Sequence, residues 1–243
     1  MWRFGALGCK KQSTPSQLEE LKEVSICSLD AGRNSCFCID TEQNIYCWGQ
    51  NSFGELGLGD YLVREKAVKH PFTQTVASIA SGSRHTVFLT VSGELYTCGD
   101  SIFDQLGQGP GKPECADLQK VQFPDGVLIA SVKCGFGHTL CIDTEGKVWG
   151  FGYNKNCELG TCGGTNVPLP ICIPGLVNIS QISVGGHHNV LRNDSGDVIV
   201  FGNNSMYQLG DLGCGSVLPT HLNNEFASCC AFSAKSAQKS ARK

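Results

Sequence analysis

No stretch of the chain approaches the ~20 consecutive apolar residues that a membrane-crossing helix requires. The opening segment MWRFGALGCKKQSTPSQLEELKEV has no apolar core followed by a small-residue cleavage site, so no secretory leader is expected. The N-x-S triplets at Asn178, Asn193 and Asn203 are therefore taken as incidental. Formal net charge is only −3, which gives no global attraction to nucleic acid. There is no G-K-[ST] step after a glycine-rich loop, so GQGPG at 107–111 and GFGYNK at 150–155 lack what a phosphate loop needs. A sustained helical period is missing everywhere except at Ser16–Glu23. The chain also lacks any C-x-x-C pair, despite 15 cysteines, and the count is odd. That argues against a disulfide framework and against zinc fingers, and most of the thiols are expected to be reduced, buried hydrophobes.

What the chain has is repetition. CWGQNSFGELG at 47–57 returns as TCGDSIFDQLG at 97–107, GFGYNKNCELG at 150–160 and VFGNNSMYQLG at 200–210. The closing glycines are Gly57, Gly107, Gly160 and Gly210. A second column, Gly32, Gly82, Gly135 and Gly185, keeps the same step. FGALG at 4–8 matches only the end of a unit, and LPTHLNNEFASCCAFSAKS at 218–236 resembles the opening of another. The chain therefore holds four complete turn motifs with partial units on either side.

Each unit carries a short apolar strand: Ile45–Trp48, Leu95–Cys98, Val148–Phe151 and Val198–Phe201. Side chains alternate along a strand, and both alternating sets here are largely apolar, so the sheet is expected to be covered on both faces. A turn precedes each strand: DTEQN, TVSGE, DTEGK and NDSGD. Gly93, Gly146 and Gly196 share one column and suit a left-handed turn position. The first copy has Gln43 there, which either takes that conformation itself or passes it to Asn44. Strand-built repeats of ~50 residues, covered on both faces, predict radially packed four-stranded blades: an all-β propeller or part of one.

GHTLCIDTEG sets His138, Cys141 and Asp143 within six residues, the types found in covalent catalysis or zinc sites. The sister copies dissolve that constellation. His138 aligns with Ser35, His85 and His188; Cys141 with Cys38, Phe88 and Leu191; Asp143 with Asp40, Thr90 and Asn193. A cysteine that exchanges with Phe and Leu is a core filler, and an aspartate that exchanges with Thr and Asn is a turn residue. The histidine is expected to be a packed, hydrogen-bonded wedge. Neither His187–His188 nor the cysteine pairs Cys36/Cys38, Cys157/Cys162 and Cys229–Cys230 have zinc spacing. No catalytic, metal or cofactor site is expected.

The G-x-x-H-[ST] step, the D-x-x-G turn and [WF]-G-x-N-x-x-x-[QE]-L-G together resemble the regulator of chromosome condensation repeat. The matching residues are Gly82, His85, Gly135, His138, Gly185 and His188, with Trp48, Gly49 and the closing glycines Gly57, Gly107, Gly160 and Gly210. The resemblance covers residues 4–233 of one expected domain, leaving a basic tail at 234–243. It implies blades of four strands, usually seven in number, so four units make an open arc, a smaller ring or part of an assembly. Open ends would favour self-association. It also implies protein partners, a small GTPase among them, and guanine-nucleotide exchange as the alternative to a non-catalytic scaffold. Chromatin binding is the weaker third implication. Three tryptophans are too few for the clustered indoles of the family's photoreceptor branch. The longest spacing lies between Gly107 and Gly135, and the exposed-looking loop Pro110, Lys112, Pro113 and Glu114 is the candidate partner loop expected to hold the extra residues. Cytoplasmic and/or nuclear residence is expected.

Overall fold

The computed structural model describes residues 2–3 and 16–222. The expectations for residues 4–8, for Cys229–Cys230 and for the tail at 234–243 lie outside them. Two short strands, β1 (Trp2–Arg3) and β2 (Ser16–Gln17), pair antiparallel. The expected helical stretch at Ser16–Glu23 is instead this short strand followed by a single 3-10 turn, Glu19–Leu21. Two exposed glutamates and the burial of Leu21 suffice for a turn but not for a longer amphipathic helix.

Four four-stranded antiparallel meanders follow. The first has β3 (Ile26–Ala31), β4 (Ser35–Asp40), β5 (Ile45–Gly49) and β6 (Arg64–Lys69). The second has β7 (Val76–Ser81), β8 (His85–Thr90), β9 (Leu95–Gly99) and β10 (Cys115–Lys120). The third has β11 (Ile129–Cys134), β12 (His138–Asp143), β13 (Val148–Gly152) and β14 (Val167–Cys172). The fourth has β15 (Ile179–Val184), β16 (His188–Asn193), β17 (Val198–Asn203) and β18 (Ser216–Leu222). The first strands β3, β7, β11 and β15 touch one another in series, so they lie innermost. These are blades of a β-propeller.

The cores lie between blades, as two apolar faces per strand require. Phe37, Ile39 and Ile45 of the first blade meet Val76, Ile79 and Phe88 of the second. Val87, Leu89 and Leu95 meet Ile129, Val132 and Cys141. Leu140, Ile142 and Val148 meet Ile179, Ile182 and Leu191. The outward face of the first blade is not bare: Leu18 and Leu21 cover Cys38, Trp48 and Ala67, although Leu29 remains 60% exposed. At the other end Val198, Val200, Leu209 and Val217 form a cluster with Val190 and Leu212 at its margin. The aliphatic column Ile39, Leu89 and Ile142 becomes the exposed Arg192 on that last face.

The hairpin turns form as expected, with Gly93, Gly146 and Gly196 at positive φ, and Gln43 takes the same conformation itself at φ 68°. The longer second unit differs from expectation. Residues 108–114 before β10 exceed their counterparts 58–63 and 161–166 by one residue. The other two extra residues fall in 121–128, which corresponds to 70–75 and 173–178. A turn around Pro124, closed by Val127 N–H to its carbonyl, absorbs them.

The Gly32, Gly82, Gly135 and Gly185 column is fixed by closeness rather than by φ. A Cβ on Gly135 would stand 2.8 Å from the Gly185 carbonyl oxygen and run into the His138 ring. A Cβ on Gly82 would meet His85 and the Gly135 carbonyl in the same way. Gly135→Ala is expected to cost about 1–3 kcal/mol by overpacking. Gly163→Ala, where nothing lies within 4 Å, is expected to be neutral. Urea unfolding of the two variants checks this, and equal midpoints would refute the role given to the column.

Candidate protein-interaction surface

In an antiparallel meander the turns between strands one and two, and the loops between strands three and four, emerge at the same end. Every repeat residue singled out in the sequence, apart from the D-x-x-G turns, lies at that end. The G-x-x-H step packs the imidazole against the glycine backbone of its own turn. Its Nε2 then reaches into the next blade. His85 Nε2 is 3.1 Å from Thr139 Oγ1, and His138 Nε2 is 2.9 Å from Asn189 Oδ1. Both acceptors donate back across the joint. Thr139 Oγ1 donates to the Gln105 carbonyl at 3.4 Å, and Asn189 Nδ2 donates to the Glu158 carbonyl at 2.8 Å. This direction makes Nε2 the protonated nitrogen of both rings, and their Nδ1 atoms are buried without a partner. Burial holds His138 down at about 4 and His85 at about 3, far below the ordinary imidazole value, so both rings are neutral wedges. His188 repeats the packing on Gly185 but is only half buried.

The chemistry-like trio is taken apart by the same geometry. His138 and Asp143 stand at opposite ends of β12. Cys141 is fully buried in the core between the second and third blades, and desolvation pushes its thiol well above the usual range. Asp143 accepts the Glu145 and Lys147 amides at 2.9 Å, and its other oxygen accepts Trp149 Nε1 at 2.8 Å. Asp40 serves its own turn likewise. Trp48 and Trp149 are buried in different cores, so neither contributes to an indole cluster.

The long loops are shaped by side chains. Asn51, Asn154 and Asn204 each accept the amide of the leucine five residues on, at 2.8–2.9 Å. Glu55, Gln105, Glu158 and Gln208 each accept the amide two residues back, at 2.8–2.9 Å. This second column also pairs with the residue that precedes the histidine position in the next blade. Arg84 stands over Phe53 at 4.5 Å, bridges to Asp100 at 3.5 Å and acts electrostatically on Glu55. In the second unit the corresponding residues are the neutral Gln105 and, before His138, Gly137, which has no side chain. Glu158, fully buried, holds His187 Nδ1 at 3.1 Å. An acid thus meets a basic side chain, and an amide meets none. Single-residue reasoning missed this pairing; its signal was the joint variation of two columns about 30 residues apart.

A row of rings crosses this end. Phe103 and Tyr153 are 5.0 Å apart, Tyr153 and His187 5.5 Å, and His187 and Phe136 5.0 Å, all partly exposed. Around it the loops present Tyr61, Leu62, Val63, Ile102, Met206 and Tyr207 to solvent, half of the twelve exposed large hydrophobics among the described residues. The opposite end presents three, Val91, Leu128 and Val177. Pro110, Lys112, Pro113 and Glu114 are all exposed, in a loop tied to the third blade by Gly109 N–H to the Pro168 carbonyl.

Ten of the twelve cysteines among the described residues are free, as expected of most, but one pair and the exposure of several thiols depart from expectation. Cys157 and Cys162 are joined in a disulfide. Of the free thiols among the described residues, Cys38, Cys47, Cys98 and Cys141 are buried, but Cys27, Cys172 and Cys214 are exposed. Cys172 lies on the outer strand β14 and Cys214 in a loop, whereas Cys27 lies on the innermost strand β3 of the first blade. Among the described residues no three His, Cys, Asp or Glu side chains are grouped to hold a metal ion, and no helix is long and apolar enough to cross a membrane.

The family model described as Regulator of chromosome condensation (RCC1) repeat matches residues 42–89, 92–142 and 145–191. A second model of that description matches 26–55, 76–105, 129–156 and 179–208. Similar proteins include the ultraviolet-B receptor UVR8 of Arabidopsis thaliana, 28% identical over 81% of this chain and 45% of that protein. The RCC1 domain-containing protein RUG3, mitochondrial, of the same organism is 32% identical over 85% of this chain and 49% of its own length. The human E3 ubiquitin-protein ligase HERC2 is 30% identical over 86% of this chain but only 4% of its own. Yeast RCC1 (Prp20), solved bound to Kap60, superposes with a TM-score of 0.80 at 21% identity, covering 92% of this chain and 57% of that one. This chain spans about half the length, or less, of these curated relatives.

Because the pKa depression of His85 and His138 exists only in the folded state, the unfolded chain takes up protons near pH 6.5 that the folded chain refuses until about 3–4. Stability is expected to be full above pH 6.5 and to fall steadily as pH drops below it. Thermal melts between pH 7.5 and 4.5 measure this. Thr139→Val, which leaves the His85 N–H without its acceptor, is expected to cost about 1–3 kcal/mol and to leave the pH trend in place.

Proposed function

As this chain belongs to the regulator of chromosome condensation repeat family, we propose that it is a non-catalytic protein-interaction scaffold that docks its partner at the loop end of the blades. The carrying observation is the two-to-one excess of exposed large hydrophobics at that end over the other. Partly exposed aromatic rings on a rigid frame are the usual anchors of protein interfaces, and Phe103, Phe136, Tyr153 and His187 supply them. The exposed loop Pro110–Glu114 extends the same surface. The full involvement of His138, Cys141 and Asp143 in packing and turn bonds supports the non-catalytic part of the reading.

A second reading is guanine-nucleotide exchange on a small GTPase. It draws on the Saccharomyces cerevisiae Prp20p structure, whose description gives binding properties to Gsp1p and histones; at 23% identity the likeness itself is one of fold. Chromatin binding draws less support from a chain of net charge −3. The expected compartment is cytoplasm or nucleus, and fractionation tests it against the mitochondrial location of one relative.

Photo-crosslinking separates these readings. A crosslinker at Ile102 or Met206 is expected to capture a discrete partner, and one at Val91 or Leu128 is not. Ile102→Asp with Met206→Asp is expected to weaken binding of that partner by at least about tenfold without moving the melting temperature. Capture only from the Val91 end would sink the scaffold surface. Accelerated nucleotide release from any member of a GTPase panel would favour exchange.

A further inference from the structure

The Cys157–Cys162 bridge sits in a turn whose sister copies manage without one. Cys157 takes φ 63° in a column where Gly54, Asp104 and Tyr207 take 76°, 59° and 56°. The first and fourth turns have the same asparagine-to-leucine and Glu/Gln-to-amide hydrogen bonds as the third. Turn geometry is therefore supplied by Asn154 and Glu158, and the bridge is redundant for it. What the bridge adds is a tether for the segment beyond the turn. Thr161 is held by Asn154 Nδ2 through its carbonyl and hydroxyl oxygens at 2.9 and 3.2 Å. Past it come Gly163 and Gly164, with nothing within 4 Å of either Cβ position. The two sulfurs are unequally placed: Cys157 is 3% exposed, and Cys162 lies in solvent. The Cα atoms are 4.9 Å apart, within ordinary disulfide reach, so the bridge can open and close without rearranging the blade.

We propose that Cys157 and Cys162 form a reversible dithiol–disulfide site that tethers or releases loop 161–166. The co-reactant is a low-molecular-weight disulfide. The Cys162 thiolate attacks one of its sulfurs, the reagent's S–S bond breaks, and one thiolate leaves. The Cys157 thiol gives its proton to solvent and attacks the Cys162 sulfur of the mixed disulfide, expelling the second thiol. Two protein thiols are oxidised and one disulfide is reduced to two thiols; excess low-molecular-weight thiol reverses both steps. Accessible Cys162 takes the incoming group, and buried Cys157 resolves it. The loop stands at the end given above to partner docking, but the site does not depend on that reading, because its readouts need no partner.

The test equilibrates the full chain in mixtures of reduced and oxidised glutathione, quenches with acid, and labels free thiols before and after reduction. Cys157 and Cys162 are expected to convert together in one two-electron transition. Hydrogen exchange in 161–166 is expected to rise at least about threefold on reduction, with β12 and β13 unchanged. Cys157→Gly, which restores the Gly54 arrangement, and Cys162→Ser are expected to fold and melt like the reduced protein. Persistence of both thiols across all mixtures, pairing of either with another cysteine, or unfolding of the third blade on reduction or in both variants would each overturn the proposal.

Discussion

An imidazole packed against a bare glycine backbone sets the spacing of this structure. His85 over Gly82 and His138 over Gly135 fill the gap between inner strands so closely that a single added methyl has nowhere to go. Each of these rings donates its one N–H to the next blade. Because the wedge is short and neutral, it can be buried without a counter-charge. The inner strands then sit near enough for the Gly186 carbonyl to accept the Phe136 amide, and the Gly82 carbonyl to accept the Arg33 amide. Blade angle, interblade core and loop placement all follow from that approach. In the first blade Ser35 takes the histidine's place, and its hydroxyl is the atom nearest to the Gly32 side after the neighbouring strand.

Much of this was legible because a repeat allows columns to be compared. Asp143 was recognisable as a turn residue from Asp40, Thr90 and Asn193, and all four do accept turn amides. Cys141 was recognisable as a filler from Phe88 and Leu191, and its thiol is indeed enclosed in a core. Two-sided burial of the strands at Val148 and Val198 followed from apolar residues on both faces.

Other features were hidden for identifiable reasons. The pairing of Glu158 with His187 joins different units, and no pattern within one unit contains it. The bridge between Cys157 and Cys162 starts from a left-handed backbone at 157, which a column of Gly, Asp, Cys and Tyr does not announce. The extra residues of the second unit were divided between two segments, whereas glycine and proline content pointed to one. The segment after Ser16 had helical spacing but only one buried leucine to anchor it beyond Leu18, too little for tertiary packing to extend the turn.

The paired columns across the joints also bear on how a repetitive chain finds its order. Near-identical blades invite docking out of sequence, a recognised failure of repeat folding. Here each joint differs from its neighbours. Between the first and second blades Arg84 stands over Phe53 and acts on Glu55; between the second and third the corresponding residues are Gln105 and Gly137, neither of them charged. Between the third and fourth a histidine answers a buried glutamate. Seating the fourth blade on the second would set His187 against an uncharged amide and separate it from the glutamate it bonds in the observed joint. The joints therefore act as addresses, telling each blade which neighbour is its own.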